Sequence, residues 1–264
     1  MNRLLITGAA GGLGTMCRTR LGHLAKEIRL SDMVPMDPAS ATEEVVICNL
    51  ADKTAVADLV RDCDGILHLG GKSVEGDWTT IRSANIDGMV HLYEAARTHG
   101  VPRIVFASSN HVIGYHAQTH RLDTTAAPRP DSLYGVSKAF GEALASMYFD
   151  KFGIETACIR IGSCFEEPKD HRMLSTWISP DDFIRLITCL FAVPRLGCQI
   201  IYGVSDNDAA WWDNAAAGFI GWRPRDNAET FRARLDAALG PPDPNAVQAR
   251  FQGGGFCSEG IHEG

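Results

Sequence analysis

Tyr134 and Lys138 stand four residues apart in "SLYGVSKAF", residues 132–140. On a helix that spacing stacks the phenol and the ammonium on one face, about one turn apart. A free phenol has a pKa of about 10 and is a poor base at neutral pH. A neighbouring cation favours the phenolate, and lowering the pKa to about 7 requires roughly 4 kcal/mol of such help. A phenolate tuned in this way can take the proton of a substrate hydroxyl as hydride leaves the same carbon. An ordinary amphipathic helix with a packed Tyr and a surface Lys has the same spacing, so the pair acquires chemical meaning only beside a partner site. Ser109, in "VFASSN", lies 25 residues upstream of Tyr134. A hydroxyl there can donate to the reacting oxygen and orient it; Ser108 and Asn110 compete for the role. Asn85, in "SANIDGMVHLYEAA", braces such a site through backbone or water contacts, or is simply a polar helix residue.

A partner site is present upstream. "LLITGAAGGLG" places Gly8, Gly11 and Gly14 directly after an apolar run and into a helix start. The spacing G-x-x-G-x-x-G is one residue wider than the usual dinucleotide fingerprint. Glycines let the backbone turn tightly and approach a pyrophosphate, whose charge rests on free N–H groups at the helix N-terminus. A tight strand-to-helix turn without a ligand also wants glycine; the strand before and the helix after supply the context for binding. Asp32 ends the second apolar run, 18 residues past Gly14. A carboxylate there accepts from ribose hydroxyls and repels a 2′-phosphate. No Arg or Lys follows in "DMVPMD". The cofactor expected is therefore NAD rather than NADP.

The elements that must position these residues alternate. Residues 3–7, 27–31, 44–48, 65–69, 103–107 and 156–161 are short, rich in β-branched side chains and nearly continuous in hydrophobicity, as strands buried on both faces should be. Helical segments are expected at 12–24, 52–62, 79–99 and 133–152. This order implies a parallel sheet with right-handed crossovers, a Rossmann-like doubly wound α/β fold with a small C-terminal substrate-binding subdomain. The expected division is 1–162 for the nucleotide-binding part with the Tyr/Lys helix, and 163–264 for the smaller part and tail, packed as one unit. Each expected strand ends in small or polar residues: Thr7-Gly8, Asp32, Asn49, Gly70-Gly71, Ser108-Ser109-Asn110 and Gly162-Ser163. In an open parallel sheet these ends share one edge, where ligands bind. The tail from about 240, rich in Pro and Gly, is expected to be extended or partly mobile.

The chain has 264 residues, 45% hydrophobic and 22% charged, with net charge −7. That suits one sizeable core and argues against nucleic acid or an anionic membrane as partner. The eight cysteines form no CxxC pair and no zinc-like spacing, which reads as reduced thiols in a cytoplasmic protein with no metal. No leader peptide and no apolar run of membrane-spanning length is visible.

Taken together, TGxxGxxG, the strand-terminal Asp, the Ser-Ser pair and YxxxK resemble the extended short-chain dehydrogenase/reductase superfamily over residues 1–165. "LGGKSVEGDW", "VFASSNHVIGYH", "MYFDKFG", "RIGSC", "RMLSTWIS", "WWDN" and "RFQGGGF" are similar to NAD-dependent uronate dehydrogenases over nearly the whole chain. The resemblance implies oxidation of the pyranose of D-galacturonate or D-glucuronate at C1, giving an aldaric acid lactone. It implies Tyr134, Lys138 and Ser109 as the catalytic set. It implies Gly8, Gly11, Gly12, Leu13, Gly14, Asp32, Asn49, Leu50, Leu69, Gly70, Gly71, Asn85 and Ile161, with Tyr134 and Lys138, along the cofactor. Ser73, Ser109, Asn110, His111, Ser163 and Arg172 then line the sugar. The Arg172 guanidinium fork suits a carboxylate, although without the resemblance it reads as a surface arginine; His111 is alternatively structural. The chain departs from the family at Asn49, where Asp is usual, and at Lys72, where an apolar residue is usual. Asn49 can still accept from the adenine amino group through its carbonyl. Lys72 adds attraction for an anionic substrate or points to solvent. Rival readings are a nucleotide-sugar epimerase or dehydratase, an aldose 1-dehydrogenase, and a catalytically silent NAD sensor. The superfamily allows a homo-oligomer, but no residue demonstrates one.

Overall fold

The computed structural model describes residues 1–37 and 40–262. Its main sheet is built from β1 (Arg3–Thr7), β2 (Glu27–Asp32), β3 (Glu43–Ile47), β4 (Gly65–His68), β5 (Arg103–Ser109), β6 (Glu155–Ile161) and a later strand described below. All neighbours are parallel, as the continuous apolar runs predict. Alternate residues of each strand enter opposite cores. Leu4 and Ile6 of β1 lie in one, Leu5 in the other. Val105 and Ala107 of β5 divide from Ile104 and Phe106 in the same way. Burial on both faces leaves no polar side in the middle of β1 and β5; β3, at the sheet edge, is not buried as expected, and its Ile47 is exposed.

Helices α1 (Gly12–Arg20), α2 (Lys53–Val60), α3 (Trp78–Ile81), α4 (Gly88–His99) and α5 (Leu133–Phe152) fill most of the expected helical segments. The segment expected at 79–99 is interrupted by a π-helical stretch, Arg82–Asp87, which carries Asn85. α5 begins at an N-cap, Ser132, whose hydroxyl accepts from Gly135 N at 2.9 Å, and ends at Gly153 in the left-handed conformation.

Beyond residue 162 the chain holds more regular structure than its composition suggests. β7 (Ser163–Cys164) and β8 (Trp177–Ile178) form a small parallel pair around α6 (Met173–Thr176). α7 (Pro180–Ala192) follows an N-cap serine, with Pro180 in its first turn, and buries Phe183, Leu186, Ile187 and Leu190. β9 (Cys198–Gly203) then pairs with β6, so the sheet order is β3-β2-β1-β4-β5-β6-β9. The sheet thus takes its last strand from the C-terminal part. α8 (Arg232–Leu239) and α9 (Val247–Arg250) complete the elements used below. The tail is not loose as expected: Gln252 is fully buried, and Gly254 and Cys257 are buried with it. Its backbone bonds run back to the loop after β5, with Gln252 N donating to His116 O and Gly253 N to Gly114 O, each at 2.9 Å.

One ion pair lies beneath the sheet's active edge. Arg160 on β6 is 1% exposed. Its Nε and Nη2 donate to the two Glu142 oxygens of α5 at 2.9 and 2.8 Å, and Ser108 Oγ adds a bond to Oε1 at 2.7 Å. Removing the cation alone strands a buried carboxylate, at a cost of about 3–5 kcal/mol. Urea denaturation of Arg160→Ala is therefore expected to show a loss of that size; a loss below about 1 kcal/mol would contradict the assignment of this pair.

Candidate active site

The parallel register aligns the strand ends. Thr7 pairs with Ser31 on one side and His68 on the other, and Ser109 pairs with Ile161. β2 and β3 extend one way from β1, and β4, β5, β6 and β9 extend the other. The crevice outside this switch point is where a doubly wound sheet binds ligands. A cavity of roughly 910 Å³ opens there, near the top of the ~300–1,000 Å³ range for ligand sites.

One arm of the cavity is a phosphate cradle. Gly8, Gly11, Gly12, Leu13 and Gly14 all line it. A Cβ at Gly14 would sit 2.1 Å from Gly8 O, so glycine is required for the turn to close. A Cβ at Gly12 would meet no protein atom within 4 Å. The first turn of α1 has no side-chain cap, which leaves its N–H groups for an anion. Asp32 Oδ2 accepts from Ala10 N at 3.0 Å and Oδ1 from Met33 N at 2.7 Å. Those bonds fix the carboxylate at the cavity wall and leave lone pairs for ribose hydroxyls. Asn49, Leu50, Leu69, Gly70 and Gly71 continue the wall. The Asn49 carbonyl accepts from Ala51 N at 3.0 Å, which orients the amide and leaves its second lone pair and its NH₂ for a base. The cradle, the uncapped helix and the acidic strand end fit a dinucleotide.

Asn85, expected along the cofactor, stands outside the cavity wall. Its Oδ1 accepts from Lys72 N at 2.8 Å, and its Nδ2 donates to Lys72 O at 3.0 Å and Ser137 Oγ at 2.9 Å. It clamps the loop after β4 to α5, which is the bracing alternative. Lys72 lines the cavity, and its ammonium has no partner among the described residues.

The other arm holds the catalytic candidates. Tyr134 and Lys138, 7% and 5% exposed, line it together with Ser109, Asn110 and His111. The structure separates the two serines: Ser108 Oγ is committed to Glu142, whereas Ser109 Oγ accepts from His111 N at 3.2 Å and lines the cavity with Tyr134. Lys138 Nζ donates to Ala107 O at 2.8 Å and lies 5.6 Å from the Tyr134 ring centroid. Burial pushes the phenol up to about 12, with Ser109 pulling it down and Asp131 raising it. Burial also drops the ammonium to about 8. Lys138 by itself therefore does not produce the phenolate that the YxxxK spacing suggests. Desolvation is the largest influence on the phenol, and a cation brought beside it would favour the charged form.

Several supports escaped sequence reasoning. Glu75 is buried, and its carboxylate accepts from Leu133 N and Tyr134 N at 3.2 and 2.8 Å, pinning the start of the catalytic helix. Asp131, with no exposed side-chain surface, binds His111 Nδ1 at 2.8 Å. This is the partner for His111 that the sequence did not reveal, and it leaves Nε2 for a ligand. Phe256 of the tail stacks on His111 at 3.8 Å and lines the cavity. Arg172 lines the same cavity as Tyr134, with Ser73, Ile161 and Ser163. Burial lowers the Arg172 pKa, and Asp170 and Asp131 oppose the shift. With the Asn110 amide oriented so that Nδ2 donates to Ile161 O at 3.0 Å, its Oδ1 accepts from Arg172 Nη2 at 2.5 Å.

Asp32 is placed at the cavity wall, where a carboxylate would favour a free ribose over a 2′-phosphate. Asp32→Asn is expected to raise the KM for NAD by about tenfold and to narrow the discrimination against NADP, through loss of charged hydrogen bonding. Unchanged constants for both cofactors would remove Asp32 from that role.

Among the described residues no helix is long and apolar enough to cross a membrane, and no group of three or more His, Cys, Asp or Glu could hold a metal ion. Residues 4–180 match the model of the NAD dependent epimerase/dehydratase family. The chain is 58% identical to the uronate dehydrogenase of Agrobacterium fabrum over 261 residues, covering 99% of this chain and 98% of that one. A mutant uronate dehydrogenase from Agrobacterium tumefaciens, solved complexed with NAD, superposes with a TM-score of 0.98 at 57% identity and covers 100% of both chains. Glucuronic acid dehydrogenase from Chromohalobacter salexigens gives a TM-score of 0.97 at 57% identity, over 98% of this chain and 97% of that one. With this likeness running along its whole length, the chain belongs to the NAD dependent epimerase/dehydratase family and, within it, to the uronate dehydrogenases.

Proposed function

We propose that this protein oxidises the pyranose form of D-galacturonate and D-glucuronate at C1, with NAD, to the aldaric acid lactone. The observation that carries the proposal is the shared cavity: the cradle, the Ser109–Tyr134–Lys138 set and Arg172 line one crevice. When bound, NAD supplies the hydride acceptor and a positive ring in the catalytic arm. Tyr134, as phenolate, takes the C1 hydroxyl proton. Ser109 holds the same oxygen and steadies the phenol. Lys138 has one of its three N–H bonds fixed on Ala107 O, and the others are available to ribose hydroxyls and to the developing phenolate. Arg172 is fixed at Nη2 by Asn110 and presents its remaining N–H groups to the sugar carboxylate. His111, with Nδ1 tied to Asp131, turns Nε2 toward sugar hydroxyls. The cyclic hemiacetal carries both the O–H and the C–H at C1, so its oxidation closes directly to a lactone, with no hydration step. NAD as cofactor is supported by the cradle and by the relatives' own activity. An NAD sensor would have no use for the Ser109, Tyr134 and Lys138 arrangement.

Formation of NADH is expected with galacturonate and glucuronate and to be much slower with galactose; equal rates would remove the carboxylate from the recognition. Arg172→Ala is expected to raise the KM for both uronates by about tenfold or more, from loss of roughly 1.5–3 kcal/mol of charged hydrogen bonding. An unchanged KM would show that another group holds the acid.

A further inference from the structure

We infer that Gln252, in the C-terminal tail, is a positioning residue that sets Arg172 for the substrate carboxylate. The inference rests on the uronate reading above. Gln252 does not line the cavity. Its main-chain oxygen accepts from Arg172 Nε at 2.7 Å. With Asn110 on Nη2, the guanidinium is held at two edges and its free N–H groups have one direction left. A main-chain oxygen keeps its place only if the residue that carries it is fixed. Gln252 is fixed through its side chain: Oε1 accepts from Trp212 Nε1 at 2.8 Å, and Nε2 donates to Ala117 O at 3.1 Å and His120 O at 2.8 Å. These partners come from two separate parts of the chain, the turn at Ala117–His120 and Trp212, and the amide satisfies an N–H donor and two carbonyl acceptors at once. Neither a hydrocarbon nor a carboxylate could do so.

The next residues bear on the same guanidinium. Gly254 has φ +65°, and a Cβ there would lie 2.6 Å from Arg172 Cδ and 2.9 Å from Nε. The tail therefore fits Arg172 closely enough that one added methyl displaces it. Two residues further on, Phe256 stacks on His111. The tail touches the sugar-facing arm and leaves the cradle at Gly8–Gly14 alone, so its effect is expected on the sugar and not on the dinucleotide.

The test is steady-state kinetics with galacturonate, and NADH binding by fluorescence, on the full chain carrying Gln252→Leu or Gly254→Ala. Each variant is expected to raise the KM for galacturonate about tenfold, with kcat within about twofold and the NADH dissociation constant unchanged. A purely structural role would lower melting temperature and active fraction while leaving the KM of the remaining enzyme alone. Unchanged KM in variants that still bind NADH overturns the inference. If Gln252→Leu does not fold, Gln252→Glu decides, since it keeps the size of the side chain and removes the donors to Ala117 O and His120 O, whereas Gly254→Ala presses on Arg172 directly. Wild-type protein that uses galactose as well as galacturonate would instead overturn the uronate reading itself, and the inference with it.

Discussion

The desolvation of Tyr134 and Lys138 is the constraint on which the site depends. Two groups that must exchange charge with a ligand lie almost out of water, the phenol driven toward 12 and the ammonium toward 8. Burial disfavours both charged forms. Burial by itself therefore holds the phenol toward its protonated form. The same burial magnifies any positive charge that arrives beside the phenol, because a low dielectric strengthens the attraction. Activation is then coupled to occupancy: the group that receives hydride also brings the charge that the base requires.

The rest of the fold serves that placement. Glu75 and Ser132 hold the first turn of α5, so Tyr134 has no freedom at its backbone. The Arg160–Glu142 pair and Ser108 fasten the middle of the same helix to β5 and β6. Asn85 joins the loop after β4 to Ser137. Three supports from three directions reach one helix, which is what a catalytic group needs to be held within a fraction of an ångström. The sugar-facing wall is built differently. Arg172 and Asp131 come from loops and His111 from a short 3₁₀ turn, and the tail packs against them.

What was legible in the sequence was mostly local. The glycine run, Asp32 and the Tyr134–Lys138 spacing are each set by a few neighbouring residues, and the apolar runs of β1, β2, β4, β5 and β6 mark buried strands, whereas β3, expected to be buried too, lies at the sheet edge and is only partly covered. What was missed depends on partners far along the chain. Asp131 binds His111 across 20 residues, and Gln252 meets Trp212 across 40 and Ala117 across 135. Such pairings have no spacing rule to betray them. β9, "CQIIYG", is half polar at its start, and α7 is apolar on a face that matters only once the sheet is assembled. The tail's Pro and Gly suggested looseness, whereas its glycines allow close approach to Asp131 and Arg172. The Tyr134–Lys138 spacing suggested a phenol tuned by its neighbour, but the opposing desolvation of both groups needed burial, which no sequence window contains.

The central claim is that bound positive charge, rather than Lys138 alone, turns Tyr134 into a base. The direct measurement is the ionisation of Tyr134 by NMR of ring-labelled tyrosine, assigned with Tyr134→Phe, in the free protein and with oxidised or reduced NAD. The account predicts a phenol protonated up to near pH 12 in the free protein. It predicts a fall of several units with oxidised NAD and little change with the reduced form, whose ring is neutral. A phenol that already ionises near neutral pH without cofactor, or that responds equally to both forms, would contradict it.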